Sequence, residues 1–149
     1  MANTFTQLLY HIVFSTKNRC PTIAPKHKEE LYGYIWGIHK ELDSHLYRIG
    51  GTADHVHILA SIPKTAAVSE LIGKVKANSS KWMRGEANFP DWDGWQDGYG
   101  AFTVSWADKE DITEYIRNQE EHHKVTTFHE EFRQMLEKSG VEYDEQYLI

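Results

Sequence analysis

"LYRIGGTADHVHILASI", residues 46–62, decides the architecture. Leu46 to Gly51 and His55 to Ile62 are two runs with strand composition, and Thr52-Ala53-Asp54 between them is a short polar connection suited to a hairpin. Successive side chains of a strand point to opposite faces, so Val56, Ile58 and Ala60 share one face while His55 and His57 share the other. Two imidazoles therefore project side by side. That pair has two readings, the polar outer face of a half-buried strand or part of a metal site, and a lone H-x-H matches too freely to choose between them.

Upstream of the hairpin, "TFTQLLYHIVFS" at Thr4 to Ser15 is rich in β-branched and aromatic residues and ends at the polar Thr16-Lys17-Asn18-Arg19, which predicts a first strand running into a loop. Beyond Pro21 and Pro25, Leu31, Tyr34, Ile35, Ile38 and Leu42 recur at helical spacing, predicting a helix over Lys28 to Leu42. Downstream, Val68, Leu71, Ile72, Val75 and Trp82 predict a second helix from about Ala66 to Arg84, stopping near Gly85. An irregular loop rich in Gly, Pro, Asp and Trp follows to Gly100. Ala101 to Trp106 alternates as a strand, and Asp108 is the expected N-cap of a helix over Lys109 to Lys124. A last helix is expected at about Phe128 to Lys138. The order is βαββαβ followed by two helices, an α+β, ferredoxin-like antiparallel sheet with additional C-terminal helices. In that arrangement the first and third strands are central, which puts the His pair mid-sheet.

The chain has 149 residues, enough for one domain with a real core, and residues 1–149 are read as a single unit. The opening Met1-Ala2-Asn3-Thr4 lacks a basic and apolar leader, and no apolar run is long enough to span a bilayer, so a cytoplasmic protein without a membrane partner is expected. The single cysteine, Cys20, rules out an intramolecular disulfide and sits in no C-x-x-C pattern. Net charge is −6, which argues against phosphate binding, but bases exceed acids up to residue 90 and the acidity begins at Asp91. Lys17, Arg19, Lys74, Lys76, Lys81 and Arg84 are the candidate phosphate contacts, with a solvated surface as the alternative. Phe89, Trp92, Trp95 and Tyr99 either stack on unpaired bases or form a small core beneath the loop. His11 reads as a packed strand histidine.

A second group lies in "EYIRNQEEHH", residues 114–123. Tyr115 and Gln119 stand at i and i+4, on one helix face with Cβ atoms about 5–6 Å apart, so a phenol and an amide address one point in space. His122 and His123 fall close by. The alternative is that Tyr115 packs beside Ile112 and Ile116.

The chain resembles the single-tyrosine HUH transposases of the IS-two-hundred-like insertion-sequence group. The matches are "YHIVFSTKNR" (10–19), "DHVHIL" (54–59), "WQDGYGAFTVS" (95–105), "YIRNQEEHHK" (115–124) and "FHEEFRQMLEKSGVEYDEQYL" (128–148), and their order and spacing make the resemblance specific. It implies that Tyr115 is the nucleophile and that His55, His57 and Gln119 hold a divalent metal, for which Mg²⁺ or Mn²⁺ suits completion by phosphate and water. It also implies a 5′-phosphotyrosine intermediate, single-stranded DNA with hairpin ends as substrate, and a homodimer with composite active sites. Two rivals have sequence support. "GYGAFTV" at Gly98 to Val104 resembles an RNA-recognition-motif strand, though Asp97 stands where a base is expected and the segment leads into the fourth strand instead of the third. An H-x-H metallohydrolase would recruit His122 or His123 and a water nucleophile.

Overall fold

The computed structural model describes residues 3–148. Four strands, β1 (Leu9–Ser15), β2 (His45–Thr52), β3 (His55–Ser61) and β4 (Gly100–Thr103), form one antiparallel sheet in the order β2-β3-β1-β4. Helix α1 (Lys28–Glu41) links β1 to β2, and α2 (Val68–Arg84) links β3 to β4. Three further helices follow β4: α3 (Lys109–Arg117), α4 (Gln119–His122) and α5 (Phe128–Lys138). This is the expected ferredoxin-like sheet, with β1 and β3 in the centre.

Alternation along the central strands divides the structure into two layers. Ile12 and Phe14 of β1 and Val56, Ile58 and Ala60 of β3 pack against Leu31, Ile35 and Ile38 of α1 and Leu71, Ile72 and Val75 of α2. The main core lies there, and Phe89 and Trp92 from the loop after α2 join it. Trp95 packs edge-on against Phe14 at 4.7 Å, and the indole nitrogens of Trp92 and Trp95 donate to Ser80 and Ser79. These three aromatics are core, part of the main cluster; Tyr99 alone of the four is exposed.

The opposite face carries Leu9, His11 and Val13 of β1 and His55, His57 and Leu59 of β3, covered by α3, α4 and α5. Val13 meets Phe128, Phe132 and Leu136 of α5, while Leu9 and Leu59 meet Ile116 of α3. Helix α3 lies directly on β2 at Gly50, where an added Cβ would stand 2.6 Å from the Ile116 carbonyl oxygen. Only glycine permits that approach.

Three elements differ from their predicted extents. β1 begins at Leu9 instead of Thr4, and β4 ends at Thr103 instead of Trp106. Both limits have one cause: Leu9 pairs with Ser61, the last residue of β3, and Tyr10 pairs with Thr103, so residues outside this window have no partner strand. β propensity without a ladder does not hold a strand. The single helix predicted over Lys109 to Lys124 is interrupted at Asn118, whose backbone (φ −96°, ψ 20°) leaves the helical region between α3 and α4. Asp108 stands at the N-cap position of α3, but its carboxylate accepts from the Ser105 hydroxyl at 2.9 Å and caps no helix amide.

Candidate functional site

The hairpin between β2 and β3 fixes the first imidazole. Asp54, in the turn, accepts from the Thr52 hydroxyl at 2.8 Å and from His55 Nδ1 at 2.7 Å. The ring is further held by stacking on Phe128, with centroids 4.4 Å apart. With Nδ1 engaged, His55 Nε2 points across the face. His57, two residues on and fully buried, is fixed from β1: its Nδ1 pairs with His11 Nε2 at 2.8 Å. Its Nε2 is thereby aimed at the same region. His11 is thus a packed strand histidine, as the sequence suggests, and it orients its neighbour.

What the two Nε2 atoms face is Glu131 of α5, buried to 1% exposure. Its Oε1 lies 3.1 Å from His57 Nε2, 3.5 Å from His55 Nε2 and 2.9 Å from His123 Nε2. Its Oε2 accepts from the Tyr115 hydroxyl and, at 2.9 Å, from the Gln119 amide nitrogen, while Gln119 Oε1 lies 2.9 Å from His55 Nε2. Four side chains, His55, His57, His123 and Glu131, bring one donor atom each within 4.8 Å of one another. One chain therefore gathers Tyr115, Gln119 and the His pair around a single carboxylate. His122 is close as well, with Nε2 3.5 Å from Glu131 Oε2.

Burial and charge set the protonation of this cluster in opposite directions. Burial pulls His11 down to about 3 and His57 down to about 4, so both imidazoles are neutral at pH 7. Burial opposes the charged form of His55 too, but hydrogen bonds to Asp54, Glu131 and Gln119 outweigh it and raise that histidine above its ordinary value. Glu131 is likewise opposed by burial and held well below the usual carboxylate range by hydrogen bonds from His123, His55 and His57. Burial, followed by the Glu131 charge, raises Tyr115 far above an ordinary phenol.

Glu131 is the residue that sequence reasoning missed. It had a signal: Phe128, Phe132, Met135 and Leu136 form the apolar stripe of α5, and a glutamate at position 131 stands inside that stripe, where a charge is costly without partners. His123 was considered in sequence as a further ligand beside the His pair, and it lies there, but its contact with Glu131 was not foreseen because that residue is on the next helix.

The candidate phosphate contacts are dispersed. Lys17, Lys76 and Arg84 line a cleft of about 430 Å³ with Trp95 and Gln96, and Arg19 lines a neighbouring one with Tyr147. The Lys17–Arg19 turn leaves β1 just past Ser15, which pairs with His55, so it emerges at the His55 end of the sheet. The Lys76 ammonium is engaged by the carbonyls of Gln96 and Gly98, each at 2.7 Å. Lys74 and Lys81 are exposed on α2, on the far side of the sheet from Tyr115. Cys20 is an exposed free thiol. No helix among the described residues is long and apolar enough to cross a membrane.

Residues 4–119 match the family model described as "Transposase IS200 like". Among solved structures, the chain is similar to a protein from Deinococcus radiodurans R1 assigned by inference as a transposase, at 23% identity and TM-score 0.63, over 80% of this chain and 95% of that one. It is also similar to a REP-associated tyrosine transposase solved bound to a REP hairpin, at 13% identity and TM-score 0.63, over 85% of this chain and 74% of that one. At these identities the two structures speak to the fold. No curated protein matches the chain in sequence. Helix α5, with Glu131, lies beyond the residues that the family model matches.

Proposed function

Because the chain belongs to the IS200-like transposase family, we propose that it cleaves and rejoins single-stranded DNA at insertion-element ends, with Tyr115 as the nucleophile. The observation that carries this reading is the convergence, within one chain, of the Tyr115 hydroxyl, the Gln119 amide and both His Nε2 atoms on one buried point. The Tyr115 oxygen attacks the scissile phosphorus, a bond from that oxygen to phosphorus forms, and the bond to the 3′-oxygen breaks. The products are a 5′-phosphotyrosine and, once the departing 3′-oxygen takes a proton from solvent, a free 3′-hydroxyl. Attack of a 3′-hydroxyl on the phosphotyrosine releases Tyr115 and restores a phosphodiester, so the bond energy is conserved for strand transfer.

Tyr115 is a poor nucleophile while it keeps its proton, and here burial and the Glu131 charge keep the proton on. Glu131 Oε2 accepts the hydroxyl hydrogen bond and is the atom placed to receive that proton as the phenol oxygen attacks. A cavity of about 330 Å³ opens beside the hydroxyl between β4, α3 and α5, with Phe102, Val104, Ile112 and Met135 on its walls. It is large enough for the nucleotide flanking the scissile phosphate.

The residues also fit a divalent cation. Asp54 and His11 occupy the Nδ1 atoms of His55 and His57, which leaves both Nε2 atoms directed inward, the arrangement of metal-ligating histidines with oriented rings. His55, His57 and Gln119 would hold Mg²⁺ or Mn²⁺, which supplies Lewis-acid polarisation of the scissile phosphate. Hairpin-ended DNA is proposed as substrate by analogy with the hairpin-bound neighbour. Residues 1–149 act as one domain on DNA in the cytoplasm. We propose a homodimer as well: Tyr115 sits over its own His pair in one chain, and composite active sites would place α3 to α5 on the partner's sheet.

The test is incubation with single-stranded DNA carrying the flanks of the encoding element, with and without Mg²⁺ or Mn²⁺, followed by denaturing electrophoresis. A covalent protein–DNA band is expected for the wild type and none for Tyr115→Phe, which keeps the ring and loses one oxygen. Adduct at wild-type yield from Tyr115→Phe would remove Tyr115 as the nucleophile.

A further inference from the structure

Glu131 does more in this arrangement than accept a proton. Its Oε1 has three imidazole nitrogens at 2.9, 3.1 and 3.5 Å. Donors that share one ion at bond lengths of about 2.0–2.2 Å stand roughly 3.0 Å apart in octahedral geometry and roughly 3.4 Å apart in tetrahedral geometry. The three oxygen–nitrogen spacings lie close to that range. Glu131 Oε1 is the oxygen that all three imidazole nitrogens face, while Oε2 accepts from Tyr115 and Gln119.

We infer that Glu131 and His123 join His55, His57 and Gln119 as ligands to the same ion. This deepens the reading of the site as a strand-cleaving centre and rests on it. Gln119 serves both ends of the cluster, its amide nitrogen holding Glu131 Oε2 so that Oε1 faces the imidazoles and its own Oε1 standing 2.9 Å from His55 Nε2. The donor set also selects the ion. Mg²⁺ prefers all-oxygen, largely hydrated coordination, whereas three neutral imidazoles and a carboxylate suit first-row transition ions such as Mn²⁺, Co²⁺ or Zn²⁺. One carboxylate joins the ion to the nucleophile, Oε1 to the ion and Oε2 to Tyr115. That connection comes from α5, outside the segment shared with the family model.

Metal binding without DNA tests this. Chelator-treated protein is titrated with Mn²⁺, free ion being read by electron paramagnetic resonance, and with Co²⁺, read by its visible ligand-field bands. The wild type should bind one ion per chain, with Mg²⁺ competing weakly. Glu131→Gln should weaken Mn²⁺ binding by about 30-fold or more and change the Co²⁺ bands; His123→Ala should do the same to a lesser degree. Gln119→Ala should weaken Mn²⁺ binding less than Glu131→Gln, since it removes a neutral donor and leaves the carboxylate. Circular dichroism checks each variant's fold, and if Glu131→Gln does not fold, the less buried His123→Ala carries the test. Wild-type affinity and bands in both Glu131→Gln and His123→Ala would overturn the inference, as would Mg²⁺ binding as tight as Mn²⁺. The two readings fail separately: an adduct that forms while these titrations fail sinks the ligand set alone. Normal titrations with no adduct sink the cleavage reading alone.

Discussion

Strands β1 and β3 present Ile12, Phe14, Val56 and Ile58 to helices α1 and α2 on one face, and His11, His55 and His57 to α3, α4 and α5 on the other. Both faces bury their central strand side chains, yet they do so differently. The apolar face fills space with side chains that have no further requirement. The histidine face buries three imidazoles, an amide and a carboxylate, with the partly buried Tyr115 and His123 beside them, which is tolerable only because each finds a partner. The difference teaches that the two layers answer to different measurements: damage to the first should appear as lost stability, damage to the second as lost chemistry.

The largest separation should come from the His55→Ala, His57→Ala double variant. Strand cleavage should fall by about 10³-fold or more, the scale on which metal-assisted phosphoryl transfer depends on its ion, while DNA affinity stays within about threefold. Electrophoretic mobility shift and adduct formation measured side by side decide it. Normal cleavage by the double variant, or indifference of the wild type to a chelator, would return the pair to ordinary strand histidines.

On the other face, Ile58→Ala should destabilise by about 2–5 kcal/mol through lost burial and a cavity, lowering the melting temperature by roughly 10 °C for a chain of this size. The folded fraction should retain wild-type adduct yield. If adduct yield per folded molecule collapsed instead, the two layers would not be separable and the comparison would break.

A smaller effect sharpens the contrast, since a buried histidine on the α1 side has no chemistry to perform. His39 is buried with Nδ1 2.8 Å from the Ser44 hydroxyl, and burial pulls its pKa from 6.5 down to about 4. The fold keeps this ring neutral, whereas the unfolded chain takes up a proton below pH 6.5. Its stability contribution is therefore complete above pH 6.5 and is lost as pH falls from 6.5 to 4, by about 2–3 kcal/mol. Urea midpoints of the wild type and His39→Gln at pH 7 and pH 4.5 should show the wild type losing more on acidification. Parallel losses would assign the acid sensitivity elsewhere.

The apolar layer was legible in sequence because its signals are local and periodic: the stripe Leu31, Ile35, Ile38 and the alternation Val56, Ile58, Ala60 each specify a face without knowledge of the partner. The strand limits at Leu9 and Thr103 were not, since they are set by where β1's neighbours stop. In the other layer, the His pair, Tyr115 and Gln119 could be picked out by type and spacing. Their convergence on Glu131 could not, because it requires α5 to fold back across the sheet and Asn118 to break the preceding helix. Even so, a glutamate inside the stripe of Phe128, Phe132 and Leu136 was a readable anomaly, and a charge placed where an apolar residue belongs asks for cationic or metal-bound company.

The contact of α3 with Gly50 works as a mechanical gauge. The gap there lies between two backbones, the β2 main chain and the Ile116 carbonyl, and neither has a rotamer with which to yield. A methyl group at position 50 would stand 2.6 Å from that oxygen where about 3.4 Å is comfortable, so the whole helix would have to rise by something under 1 Å. Tyr115 immediately precedes Ile116 and would ride up with it, away from the carboxylate and the imidazoles that stay on the sheet. Displacements of about 1 Å in a reacting group cost on the order of 100-fold in rate. The smallest side chain in the protein, on a strand that carries none of the reacting atoms, thus sets the working height of the nucleophile.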